Sequence, residues 1–499
     1  MDNNQYAETE GITENQETAP AGTGNMPAEE SEPRRRFKLP VITIPALIGL
    51  LVMAGIFVMA LFISMLRYNA INGLSSRFVG FENYGRVMNA GLAAALVNTL
   101  GIRLLTLLVC GGLAAAMCAG YRKMKSDGAV LAVACLWLIP VGIPAAVFGA
   151  PIMDAANNPS LFTCALAYLA GNGLQTLGIF CFAAGLYAYL KNEPFRGLLI
   201  AVLAWLLGSL AMNAMDSGIQ SWASVAILSD DRNFMKYQTG YAFASVYAVI
   251  KIVVQVAIGA IAAVQLRKRT RTASLREKTT RTEMILIPAA VACAAVAQLL
   301  FHAAEDIKDV VMNTLVRNLL VALGGGAVGG LVAWSFVRLL KGVSGRWFGI
   351  IAVILPAALS CVVVQFMMMS RLHLMDNYVL SQALLAAFDA RVILLVVSLA
   401  FILRARSKGS PVSLYLSLAL LAGACTWGKI MSGLLYYYGN SEPVGILFYQ
   451  NVWTGHIREG EITLLDSRLI LNLLMIVPPF LMGIGAASQM KRAFAEPKE

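Results

Sequence analysis

Hydrophobic residues in this chain do not alternate with polar ones. They come in runs of about 20, recurring from residue 41 almost to the C-terminus. Each run can cross a hydrocarbon core of about 30 Å as an α-helix. The segments of roughly 10 alternating residues that mark a membrane β-barrel are missing. The pattern therefore predicts an all-α integral membrane protein with about 12 transmembrane helices. Spans are expected near 41–66, 92–120, 128–152, 161–190, 196–216 and 240–266, and again near 284–302, 313–337, 347–369, 379–403, 411–436 and 467–490. Between the two sets, residues 267–283 form a hydrophilic stretch with seven Lys or Arg. The expected organisation is an acidic tail (1–38) with a basic juxtamembrane end, a first six-helix half (39–268), a basic connector (269–283), a second six-helix half (284–492) and a short C-terminal tail (493–499).

Composition sharpens this picture. Of 499 residues, 58% are hydrophobic and 13% charged, with mean hydropathy +0.69. Soluble domains carry about 25% charged residues, so roughly half the usual charge is missing. The net charge of +11 invites a nucleic-acid reading. Its location argues against one: the basic residues cluster between apolar runs, as in Arg34-Arg35-Arg36, Arg267-Lys268-Arg269 and Lys491-Arg492. That is the positive-inside distribution, and it places both termini in the cytoplasm. Residues 1–33 hold seven Glu and neither Lys nor Arg, and they read as a disordered cytoplasmic tail.

Enzyme chemistry finds no footing in the sequence. No G-x-x-x-x-G-K-[ST], H-E-x-x-H or G-x-S-x-G segment occurs, and His302, His373 and His456 are scattered near span ends. The eight cysteines all lie in apolar runs without C-x-x-C spacing, and they read as small packing residues. Neither a cofactor nor a metal site is expected.

The halves carry similar landmarks in the same order. Asn98-Thr99-Leu100 and Asn313-Thr314-Leu315 each precede an arginine (Arg103, Arg317) and a glycine-rich helix. Leu138-Ile139-Pro140 and Ile354-Leu355-Pro356 then follow at nearly equal spacing. Internal repeats of this kind are a common transporter construction. The glycines are read as close-approach positions between membrane helices.

The segment Arg77-Phe-Val-Gly-Phe-Glu-Asn-Tyr-Gly-Arg-Val87, followed by Asn98-Thr99-Leu100, resembles the start of permease subunits of maltose- and glycerol-3-phosphate-type ABC importers. The stretch from Tyr237 to Arg267 looks like the last span of such a subunit. Leu372 to Leu380 and Pro443-Val444-Gly445 resemble segments of its partner subunit. The resemblance runs over roughly residues 66–490 and implies two permease subunits fused in one chain. Such a chain would take up sugars or related small polar solutes across a bacterial plasma membrane, with an ATP-binding cassette ATPase and an extracytoplasmic solute-binding protein as partners beside the lipid bilayer. One departure matters. The family's cytoplasmic coupling helix has no room here, because the corresponding loops, 191–196 and 404–411, are too short for two to three helical turns plus connections.

The polar residues inside predicted spans are the candidates for a pathway, since charge in hydrocarbon is costly and marks cavities or pairs. They are Arg103, Asn172, Gln175, Lys251, Gln255, Gln365, Asp389, Arg391 and Lys429. Lys251 and Gln255 are four apart and share a helix face. By the resemblance, Trp427-Gly428-Lys429 falls where the family's W-N-E-F-like segment contributes to the pathway. Substrate-binding residues are thus expected among Asn172, Gln175, Lys251, Gln255, Arg391, Trp427 and Lys429. Structural readings remain open beside these: interfacial snorkelling for Arg103 and Arg317, and a helix–helix polar contact for Asp389 with Arg391. At the level of the whole chain, an ABC permease stands against a degenerate permease-like scaffold without ATP coupling. An ion-coupled carrier relying on Asp389 is a third reading.

Overall fold

The computed structural model describes residues 40–69, 72–89, 92–155, 160–208, 280–343, 372–374, 377–404, 410–429 and 468–495, with a few isolated positions between them. From Pro40 onward the described residues pack as one compact unit. Among them, seven helices are long and apolar enough to cross a membrane: Val41–Ser64, Leu100–Lys123, Phe162–Tyr189, Arg281–Asp306, Val311–Gly342, Tyr378–Arg404 and Leu469–Phe494. Three shorter apolar helices join them, Asp127–Gly142, Pro194–Leu206 and Pro411–Trp427. Each coincides with an expected span. The spans expected near 240–266 and 347–369 lie largely outside the described residues, with the distal parts of 196–216 and 411–436.

In chain order the helices are α1 (Ile44–Ser64), α2 (Glu82–Asn89), α3 (Leu92–Lys123), α4 (Asp127–Leu136), α5 (Ile139–Gly142), α6 (Ala146–Asp154), α7 (Leu161–Tyr168), α8 (Leu174–Tyr189) and α9 (Pro194–Gly208). They continue as α10 (Arg281–Ala303), α11 (Val310–Gly342), α12 (Tyr378–Ala386), α13 (Ala390–Arg404), α14 (Pro411–Trp427) and α15 (Arg468–Phe494). A π-helical turn, Leu169–Gly173, joins α7 to α8.

Two features depart from the sequence expectation. The chain is not wholly helical: after α1 an antiparallel hairpin forms from β1 (Leu66–Asn69) and β2 (Gly73–Phe78). The span expected at 128–152 is also not continuous. It breaks after α4 and again at Ile143–Ala145, around Pro140 and Pro144. Proline removes a backbone donor and clashes with the preceding turn, which ends a helix.

The hairpin explains the segment 77–87. Gly80 takes a left-handed φ of +58°, reversing the chain after β2. Asn83 is buried and donates its amide to the carbonyls of Ser64 and Leu66, both at 2.9 Å. Those carbonyls lie at and just past the α1 terminus, where backbone acceptors lack helical partners. Tyr84 hydroxyl meets Ser64 hydroxyl at 2.7 Å beside them.

At the centre lies α11, packed by α10, α12, α13, α14 and α1. Its glycines permit this crowding. A Cβ at Gly326 would fall 2.6 Å from the Ala419 carbonyl, and one at Gly330 would fall 2.5 Å from Ala419 Cα. The first and last helices pack against elements distant in sequence: α1 packs on α11, and α15 packs on α4 and α5 as well as α14. Outward faces of α1, α3, α10 and α15 carry large exposed apolar residues such as Leu51, Leu108, Leu299 and Leu481. Soluble monomers rarely expose contiguous apolar surface on that scale. Hydrocarbon satisfies it, and the chain is a helical membrane protein.

Candidate functional site

The site begins where a span is interrupted. Between α12 and α13 the chain turns through Ala387 and Phe388, and Asp389 becomes the residue capping α13. The first backbone N–H groups of a helix lack internal acceptors, and a carboxylate at this position accepts from them. Arg391 N–H donates to Asp389 Oδ1 at 2.9 Å.

A carboxylate buried this deeply needs a counter-charge. Arg391 supplies it in the forked geometry its guanidinium favours. Nε donates to Oδ1 at 2.8 Å and Nη2 to Oδ2 at 2.9 Å. Nη2 also donates to the Cys425 carbonyl at 3.0 Å, near the C-terminus of α14 where carbonyls lack helical partners. Just past that terminus, Lys429 places Nζ 3.5 Å from Asp389 Oδ2. Asp389, Arg391 and Lys429 are 3%, 7% and 5% exposed, so two cations share one carboxylate in the interior. Asp389 and Arg391 make their polar contact locally at the start of α13 rather than between helices; Arg391 reaches α14 through the Cys425 carbonyl, and Lys429 extends the pair into a cluster.

The short turn at 143–145, far upstream in sequence, approaches the cluster. Gly428, beside Lys429, sits so close to the Pro144 ring that any Cβ would overlap it. On the other flank, a Cβ on Gly171 would lie 2.5 Å from the Ala145 carbonyl. Gln175 donates to the Ile143 carbonyl at 2.7 Å. Asn172 lies in the π-turn, 4% exposed, and its Nδ2 makes no hydrogen bond. Asn172 and Lys429 thus follow two glycines that press on adjacent residues of the 143–145 turn. π-turns inside helices often mark functional positions, because the extra residue re-aims a side chain.

Of the expected substrate-binding residues, Arg391 and Lys429 are brought together with Asp389, and Asn172 and Gln175 flank the turn beside them. Trp427 is buried and donates its indole N–H to the Leu474 carbonyl at 2.8 Å, which ties α14 to α15. Lys251, Gln255 and Gln365 lie outside the described residues.

Arg103 and Arg317 are buried rather than exposed at their tips. Arg103 stacks on Tyr168 at 5.1 Å. Arg317 stacks on Phe301 at 4.1 Å and pairs with half-exposed Glu305 at 2.7 Å.

Two polar features escaped the sequence reading. Glu283 is 2% exposed and pairs with Arg338 at 3.1 Å while closing a capping box with Thr280. Thr280-Arg281-Thr282-Glu283 before an apolar run is the sequence signal that would have revealed it. Gln382 is fully buried, and neither Nε2 nor Oε1 makes a hydrogen bond. Comparison with family models, with curated proteins and with solved structures finds no match.

Proposed function

We propose that this chain is the membrane-spanning permease of an importer for carbohydrates or related small polar solutes, of the ABC type. Its solute path runs between two repeated six-helix halves, and both termini face the cytoplasm of a bacterial cell. An ATPase and an extracytoplasmic binding protein act in trans. The observation that carries the reading is the buried Asp389–Arg391–Lys429 cluster at a helix break, beside a turn from the first half. Interrupted spans with charged groups in the interior are how transporters build solute sites at the repeat interface. A membrane scaffold has little use for three buried charges.

One observation favours a second reading. The α8–α9 connection, residues 190–193, holds no helix, so the usual surface for an ATPase is absent there. A permease-like scaffold without ATP coupling is the alternative. An ion-coupled carrier is less favoured, because Arg391 already occupies both oxygens of Asp389.

Affinity purification of the tagged chain in mild detergent, with ATPase activity assayed, tests the proposal. A stoichiometric ATP-binding subunit is the expected outcome. Its absence, where a control permease retains its own, would move the chain to the scaffold class.

A further inference from the structure

Among the described residues, two donors carried next to the 143–145 turn are short of a close acceptor, Lys429 Nζ and Asn172 Nδ2. Arg391 takes both Asp389 oxygens at normal hydrogen-bond distance, which leaves Lys429 at 3.5 Å, beyond the 2.7–2.9 Å of a good charge-assisted bond. An ammonium carries three donors and accepts nothing. Asn172 contributes a buried Nδ2 with no acceptor. A neutral hydroxylated solute offers donors and acceptors alike, whereas this pair asks for acceptors and negative charge. Glycines bring both residues to the same turn: Gly428 against Pro144 and Gly171 against Ala145. The spacing is built in, because neither glycine position has room for a side chain.

We infer that Lys429 and Asn172, on either side of the 143–145 turn, bind the acidic group of the transported solute, a carboxylate or phosphate carried on a small polar molecule. The inference rests on the permease reading and names its substrate class. Asp389 and Arg391 are positioning residues in it. Their mutual pairing keeps the carboxylate engaged, so that the Lys429 charge is available to a ligand. Lys429 is the discriminating residue, since removing its charge leaves Asp389 and Arg391 a balanced pair and the fold intact.

The test is calorimetric titration of the purified full chain in lipid nanodiscs with glucuronate, glucose and inorganic phosphate. An acidic probe is expected to bind at least tenfold more tightly than glucose. Glucuronate or phosphate as the tighter probe distinguishes a carboxylate-bearing from a phosphate-bearing solute. Lys429→Gln should abolish the preference for charge while its thermal midpoint stays near that of the parent. Lys429→Arg should retain most of it, and Asn172→Leu should weaken acid binding several-fold. Equal binding of glucose and glucuronate, no acidic probe binding, or an unchanged preference in Lys429→Gln would each overturn the inference. The permease proposal is read separately, from the co-purifying ATPase, so either conclusion can fall alone.

Discussion

The span Phe162–Tyr189 is interrupted by the π-turn at 169–173, and the span Tyr378–Arg404 by the turn at 387–389. The first stays helical throughout, with right-handed backbone angles where the π-turn meets each flanking helix. It needs only neutral polar groups, Asn172 and Gln175, at the irregularity. The second stops and restarts, and a restarted helix presents backbone donors in a place with no water. Asp389 answers them, the carboxylate then requires Arg391, and Lys429 joins from α14. Charge at the 387–389 turn is thus the consequence of a sharper break. The neutral break leaves a donor over; the charged one leaves a cation over.

Replacing the carboxylate should separate the two breaks most strongly. Asp389→Asn leaves Arg391 and Lys429 buried with their anion removed, and breaking a buried pair costs about 3–5 kcal/mol. Thermal unfolding of the purified protein in detergent should show that loss. Lys429→Gln, measured alongside, should shift stability by less than about 1 kcal/mol, because a bidentate pair remains. Similar losses in both variants would mean that the cluster acts as one indivisible structural unit.

The same contrast appears in the long glycine-bearing helices. α3 has 32 residues and α11 has 33, and each holds an arginine (Arg103, Arg317) a few turns at most before adjacent glycines (Gly111-Gly112, Gly324-Gly325-Gly326). The apolar window of α11 is 83% buried against 28% for that of α3. In α11 the glycines face small residues: Gly326 meets Ala419 and Gly423, and Gly329 meets Ala386 and Ala422. Gly330→Leu would drive a side chain into the Ala419 backbone from 2.5 Å, so overpacking should cost about 3 kcal/mol, the upper end for such changes. Loss of the monodisperse peak in fluorescence-detected size exclusion, together with a lowered melting temperature, would register it.

How much of this was legible in the sequence follows from what each signal depends on. Span positions were readable because hydrocarbon selects long apolar runs whatever the neighbours are, and the helices from Val41–Ser64 to Leu469–Phe494 fall where expected. The hairpin was hidden because Arg67 and Arg77 pair within a short polar stretch that carries no membrane signal. Asp389 and Arg391 could be singled out as polar residues in a span and read as a contact between helices, but not as a pair closed locally at the start of α13. Nor was Lys429 joining them readable, since that contact joins the α14 terminus to a break some 40 residues away in sequence. Likewise Asn172 and Gln175 could be picked out as polar groups in a span. Their proximity to the 143–145 turn depends on Pro140 and Pro144 breaking the preceding helix, which a hydropathy run does not reveal.

Gln175 offers a smaller effect on the neutral side of the comparison. Gln175→Leu keeps the volume roughly constant but removes the donor to the Ile143 carbonyl, leaving that acceptor buried. The expected loss is about 1–2 kcal/mol, well under that of Asp389→Asn. A loss equal to the Asp389 variant's would show that the 143–145 turn, rather than the charge cluster, carries the stability of this region.

The smallest effect belongs to α3. A Cβ at Gly112 meets nothing within 4 Å among the described residues, and its neighbours Leu108 and Leu113 are exposed apolar side chains. Gly112→Leu should change the melting temperature negligibly, within about 0.5 kcal/mol, as expected of a surface position without special backbone geometry. Leucine is also the better helix former by close to 1 kcal/mol in water, which pushes any shift toward stabilisation. A large destabilisation at Gly112 would mean that this face of α3 is covered in the assembled protein. Its glycines would then serve the same close packing that those of α11 serve within the chain.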